Sequence, residues 1–123
     1  MTKNFENFPV YSKSLDLIVS IYKFLQNQSL EKEFEFNNQI KRAGFPISNN
    51  IAEGSEYNNN RQFIKYLKIA KGSCAEVRSM MIVSKRLKLE DENVAEEIIN
   101  LSREISSNIS NFIKYLKENI ERK

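Results

Sequence analysis

The sequence predicts an all-α fold, an antiparallel up-down-up-down four-helix bundle, on three observations. Apolar residues recur three or four positions apart through four successive stretches, which is the spacing of helices with one buried face. Only 3 glycines and 2 prolines are present, too few to punctuate a sheet with many tight turns. The 123 residues, 41% of them hydrophobic, suffice for one domain with a real core and are too few for two. Amphipathic helices joined by short links alternate in direction, because a short link returns the chain beside the helix it left. Helices are expected at about residues 8–27, 35–57, 60–87 and 91–120.

In the first segment Tyr11, Leu15, Ile18, Tyr22 and Leu25 share one helical face, widened by Val19 and Ile21. Pro9 fits the first turn, where its missing donor has no intrahelical use, and Asn7 or Phe8 takes the cap. Asn27 to Glu35 is polar and charged and reads as a connection. The second segment aligns Phe36, Ile40, Ala43, Ile47 and Ile51 and ends near Gly54 and the asparagines 58–60. Pro46 inside it predicts a kink or break near residues 42–46, since proline removes one hydrogen bond and presses on the carbonyl four residues back.

The third segment carries Phe63, Tyr66, Leu67, Ala70, Cys74, Val77 and Met81 as an apolar stripe, so Cys74 reads as a packing residue. Gly72 interrupts a strong helical pattern, which points to close approach of another helix. The fourth segment opens on Glu90, Asp91 and Glu92 and closes on Lys114, Lys117, Arg122 and Lys123, each group matched to its end of the helix dipole. Between them Val94, Ile98, Leu101, Ile105, Ile109, Phe112, Leu116 and Ile120 form the buried stripe.

Composition excludes much chemistry. With no histidine, no tryptophan and a single cysteine, the chain offers no catalytic triad, no histidine acid/base group and no conventional zinc site, so neither enzyme activity, metal nor cofactor is expected. One cysteine forms no internal disulfide, which suits a reducing cytoplasm. Nothing near Met1 reads as a secretory signal, and no apolar run is long enough to span a membrane. A cytoplasmic protein is expected.

The net charge of +3 hides an asymmetry. Phe36 to Lys88 holds ten bases against three acids, whereas the rest of the chain holds nine bases and thirteen acids. At about 100° per residue, Arg61, Lys65, Lys68 and Arg86 fall opposite the apolar stripe of the third segment, with Lys71, Arg78 and Lys85 alongside. With Lys41 of the second segment they form a candidate phosphate-binding strip, in which bases displace condensed counterions without reading sequence. Each lysine taken singly also suits an ordinary solvated face. Tyr57 and Tyr66 offer rings to unpaired bases, although aromatics at helical spacing more often belong to a core.

At residues 39–54 and 63–76 the chain resembles a known family. Gln39-Ile40-Lys41-Arg42-Ala43, Ile47, Asn50-Ile51-Ala52-Glu53-Gly54, Phe63, Tyr66-Leu67, Ile69-Ala70, Gly72-Ser73 and Glu76 are similar to the 23S rRNA-intervening sequence proteins. These share their fold with the accessory variability determinants of diversity-generating retroelements. The family's proline usually stands just before its Ser-Asn-Ile-Ala-Glu-Gly run, where this chain has Ser48, and its usual basic cluster after Gly54 is replaced by Ser55, Glu56, Tyr57 and asparagines. The resemblance implies a four-helix bundle assembled as a homopentamer, a basic surface for RNA or DNA, and, in the retroelement relatives, a reverse transcriptase as partner; it implies no enzymatic activity. A protein-interaction scaffold that docks an acidic partner is therefore the rival reading. Arg42, Glu53 and Glu76 are read as structural polar residues, the arginine held between carboxylates to fix helix register within a subunit or across an interface.

Overall fold

The computed structural model describes residues 4–26, 30, 32–89 and 92–119. A single 3-10 turn at Phe5–Asn7 leads into four helices: α1 (Pro9–Leu25), α2 (Phe34–Ser55), α3 (Asn60–Leu87) and α4 (Glu92–Glu118). α1 packs on α2 and α4, and α3 packs on the same two, so α1 and α3 lie diagonally across a bundle of alternating direction. The last residue of the first expected helix, part of the first link, and the first and last residues of the fourth expected helix lie outside those described, among them Asn27, Glu90, Asp91, Ile120, Arg122 and Lys123.

The starts of α1 and α3 and the end of α3 have local causes. Phe8 is the N-cap of α1 with Pro9 in its first turn. The side chain of Asn59 accepts from the Gln62 amide at 3.0 Å and begins α3. Lys88 in the left-handed region, φ 56°, turns the chain out of α3 and lets the amides of Lys88 and Leu89 reach the carbonyls of Lys85 and Ser84.

The core follows the expected stripes in three helices. Ile40, Ala43, Ile47 and Ile51 of α2, Leu67, Ala70, Cys74, Val77 and Met81 of α3, and Ile98, Ile105, Ile109 and Leu116 of α4 are all buried. Fully burying one such large side chain contributes about 1.5–3 kcal/mol, so this shared core dominates the stability. Burial pushes the Cys74 thiol up to about 12, with the nearby Arg78 charge opposing it weakly, which leaves the thiol inert at neutral pH.

α1 departs from expectation by one residue of phase. Its buried positions are Val10, Ser14, Leu17, Ile21 and Phe24, whereas Leu15, Val19 and Tyr22 face outward, Val19 at 52% exposure. The helix carries two adjacent apolar stripes, and packing chose the one with small Ser14 and fully buried Leu17, which lets α2 and α4 approach. Lone Leu30, in the stretch read as a polar connection, is fully buried, and its carbonyl accepts from Asn37 Nδ2 at 3.1 Å.

The expected break at Pro46 does not occur: α2 is continuous from Phe34 to Ser55. The lost bond leaves one carbonyl, that of Arg42, without its usual donor, while Ala43, Gly44, Ile47 and Ser48 are buried on both sides of the proline and keep both halves packed on the core. The expected close approach at Gly72 is also absent, since a Cβ built there meets nothing within 4 Å. Gly72 lies on the outer face of α3, and the tight helix contact belongs to Gly54 instead. A Cβ there would stand 2.7 Å from Tyr66 Cβ and 3.0 Å from Phe63 Cδ1.

The two glycines therefore respond oppositely to alanine. Gly54→Ala meets the root of a side chain, not a flexible tip, so α2 and α3 must separate; the expected loss is about 1–3 kcal/mol. Gly72→Ala adds helix propensity in open space and is expected to gain about 1 kcal/mol. Denaturant midpoints of the two variants check both signs, and equal shifts would show that Gly54 is not the contact that sets the α2–α3 spacing.

Candidate nucleic-acid interface

The apolar stripe of α3 sets the rotation of the helix, and with it which bases meet water. Arg61, Lys65 and Lys68, one turn apart, are exposed, and none takes part in an ion pair or hydrogen bond among the described residues. Lys71 and Arg86 are exposed as well. The N-terminal half of α3 thus presents a cluster of three cations over about 10 Å of helix, with Lys71 at its edge.

The remaining bases of the expected strip are drawn away from it. Lys85 Nζ donates to Glu96 Oε1 of α4 at 2.6 Å, which raises the lysine pKa and lowers that of the glutamate, the hydrogen bond being the main cause in each. Arg78 Nη1 donates to Ser102 Oγ at 3.4 Å, again on α4. Lys71, Arg78 and Lys85 are spaced seven apart, and that row drifts around α3 toward α4. Lys41 belongs to another side of the molecule, its ammonium 4.9 Å from the Tyr22 ring of α1. The continuous strip is corrected to a compact cluster at one end of α3, with Arg86 isolated at the other.

Between the two, the outer face of α3 carries the exposed small residues Gly72, Ala75 and Ser79, with Glu76 beside them. Ile69, Ile82, Val83 and Leu87 are exposed along the same helix, Leu87 at 62%.

Arg42, Glu53 and Glu76 do not all come together within the chain. All three are exposed and none belongs to an ion pair among the described residues. Arg42 and Glu76 line a shallow cleft of about 370 Å³ with Phe34, Glu35 and Gln39. Glu53 lies instead beside Tyr66, so no arginine is clamped between these carboxylates in one subunit. A further tie between helices that the sequence did not disclose is Lys13 Nζ to Glu104 Oε2 at 2.5 Å, linking α1 to α4.

Tyr57 and Tyr66 stack on each other rather than standing apart. Their rings are 5.2 Å apart at 15°, and their hydroxyls are 3.0 Å apart. One face of each ring is therefore taken. A second feature lies at the same end of the bundle, where Phe8, Phe63 and Phe112 form an aromatic cluster with centroids 5.1–6.2 Å apart. It floors a cleft of about 640 Å³ that Tyr115 and several asparagines border. The asparagine run at 58–60 was legible only as a helix end, because the residues that complete the cleft come from α1 and α4.

Comparisons with known proteins agree with this architecture. The family model for 23S rRNA-intervening sequence protein matches residues 6–111. A crystallised protein of unknown function from the S23 ribosomal protein family of Bacteroides thetaiotaomicron VPI-5482 is 34% identical, with a TM-score of 0.78, covering 85% of this chain and 98% of that one. No curated protein matches.

The tyrosine pair makes a spectroscopic prediction. The Tyr57 hydrogen bond, then burial and the Glu53 charge, push Tyr66 up to about 12. The neutral phenol is the form that the fold favours, so this contribution is complete below the ordinary phenol value near 10 and fades as pH climbs toward 12. Tyr57→Phe is expected to bring the Tyr66 titration down toward 10, read as tyrosinate absorbance against pH; an unchanged titration curve would show that the hydroxyl pair does not control it.

Proposed function

The chain belongs to the 23S rRNA-intervening sequence protein family, and on that premise we propose that it is a non-enzymatic nucleic-acid-binding protein that holds RNA or DNA on the N-terminal half of α3. The observation that carries this reading is the Arg61, Lys65 and Lys68 cluster, exposed and without a counter-charge among the described residues. Such a cluster gains affinity by releasing counterions from a phosphate backbone and gives position without base sequence. Arg86, one helix-length away, adds a further contact on a long polyanion. Lys41, Lys85 and Arg78 contribute less, because each already has a partner within the fold.

The test is affinity against salt. Log affinity should fall linearly with log salt, and charge reversal at Lys65, Lys68 and Arg86 should flatten the slope by about 0.9 per lost contact on duplex or 0.7 on single strands. Unchanged binding in that triple variant removes the cluster from the interface. Preference for an acidic polypeptide over nucleic acid would favour a scaffold, such as an accessory of a reverse transcriptase.

A separate observation supports a further part of this reading, the assembly of several copies. Leu15, Val19 and Tyr22 on α1, with Phe45 of α2 beside Tyr22, form an exposed apolar strip, diagonally opposite the exposed Ile82, Val83 and Leu87 of α3. Two different patches on opposite sides suit a head-to-tail contact, which closes into a ring when the rotation permits. A homopentamer is the ring that the family likeness implies. Val19→Glu is expected to yield monomers with an unchanged helical spectrum, measured by native mass; intact oligomers in that variant would exclude the strip from the contact.

A further inference from the structure

We propose that the cleft at the loop end of the bundle, where α1 and α3 begin and α2 and α4 end, is a pocket for an unpaired nucleobase. This inference rests on the nucleic-acid reading above and adds a single-strand preference and a subsite to it.

The cleft is built by four elements that are distant in sequence. Phe8 precedes α1, Ser55 ends α2, Asn58 to Phe63 lead into α3, and Phe112 to Asn119 close α4. Its volume of about 640 Å³ lies within the roughly 300–1,000 Å³ of small-ligand clefts. Its floor is the packed trio of Phe8, Phe63 and Phe112, while Tyr115, at 60% exposure, raises an open ring at the edge. A flat π system that stacks regardless of sequence is what an aromatic ring of this exposure accepts.

The rim is made of carboxamides. Asn60 Nδ2 donates to the Leu116 carbonyl at 3.4 Å and Asn119 Nδ2 to the Tyr115 carbonyl at 2.7 Å. Both amides are thereby positioned at the end of α4. Asn58 is exposed beside them, in the left-handed region at φ 50°. A carboxamide presents a donor and an acceptor side by side, the pattern that pairs with the edge of a base.

Charge decides the kind of ligand. No acidic or basic side chain lines this cleft among the described residues, and the next residue along α3 after Asn60 is Arg61, followed by Lys65 and Lys68 on the same face. A neutral aromatic and amide cleft beside a cation row suits a neutral ring tethered to phosphates. The cleft at Arg42 is the weaker candidate for the same ligand, because Glu35 and Glu76 on its walls repel phosphate.

The experiment uses the full chain, a single-stranded oligonucleotide carrying 2-aminopurine, and a duplex of the same sequence, titrated over a range of salt. Tyr115→Ala removes an exposed ring, and Asn58→Gly removes a carboxamide while keeping a residue suited to positive φ. The wild-type chain is expected to quench the fluorophore and prefer the single strand. Tyr115→Ala should abolish the quench and weaken single-strand binding about 5- to 100-fold, with the salt slope and duplex affinity unchanged, and Asn58→Gly should weaken single-strand binding in the same sense. If both variants keep single-strand affinity and quench while the charge reversals still flatten the slope, the pocket is overturned and the phosphate cluster stands. If neither oligonucleotide binds the wild-type chain, both proposals fall. Binding of poly-glutamate as tight as that of the oligonucleotide also overturns the base pocket, since an acidic peptide brings charge without a base.

Discussion

Burial of Leu67, Ala70, Cys74, Val77 and Met81 between α2 and α4 sets the rotation of the third helix, and the placement of charge depends on that rotation. A helix with one greasy seam has little freedom to roll, because turning it by one residue step would bring a buried side chain to water at about 1.5–3 kcal/mol. Arg61, Lys65 and Lys68 are outward because they lie opposite this seam. Gly54 sets the spacing of the same contact: with no side chain of its own, it lets α2 approach the roots of Tyr66 and Phe63.

The charge on α3 is graded along its length for a geometric reason. A row repeating every seven residues drifts about 20° per repeat around a helix of 3.6 residues per turn. Lys71, Arg78 and Lys85 form such a row and move toward α4, whose Ser102 and Glu96 meet the last two. Arg61, Lys65 and Lys68 advance by four and three, which keeps them on the outer face. The bases near the start of α3 are thus left for solvent, while two of those near its end are used to seat α4.

The end of the bundle that carries the outward cations also gathers the aromatic and amide side chains. Antiparallel alternation brings the starts of α1 and α3 beside the ends of α2 and α4, so residues more than one hundred positions apart, such as Phe8 and Tyr115, border one cleft. The opposite faces of the molecule have a different character. Leu15, Val19 and Tyr22 on α1 and Ile82, Val83 and Leu87 on α3 leave apolar surface uncovered within the single chain. Surface character is thereby divided by position, with exposed cations and rings at one end and apolar surface along two diagonal sides.

The sequence by itself determined the fold class, the approximate spans of four helices and the buried stripes of α2, α3 and α4, because a period near 3.6 residues with one apolar face has a single way to hide from water. It also determined that Arg61, Lys65, Lys68 and Arg86 of α3 would face outward. Only the tertiary structure decided the phase of α1, where two adjacent apolar stripes compete and the choice rests on how closely α2 and α4 approach Ser14 and Leu17. Continuity through Pro46, the open surroundings of Gly72, the partners of Lys41, Arg78 and Lys85, the separation of Arg42 from Glu53 and the cleft at the bundle end were likewise decided by neighbours on other helices. Periodicity reports how a residue stands relative to its own helix axis. Which atoms come to stand against it is a property of the packed assembly of all four helices.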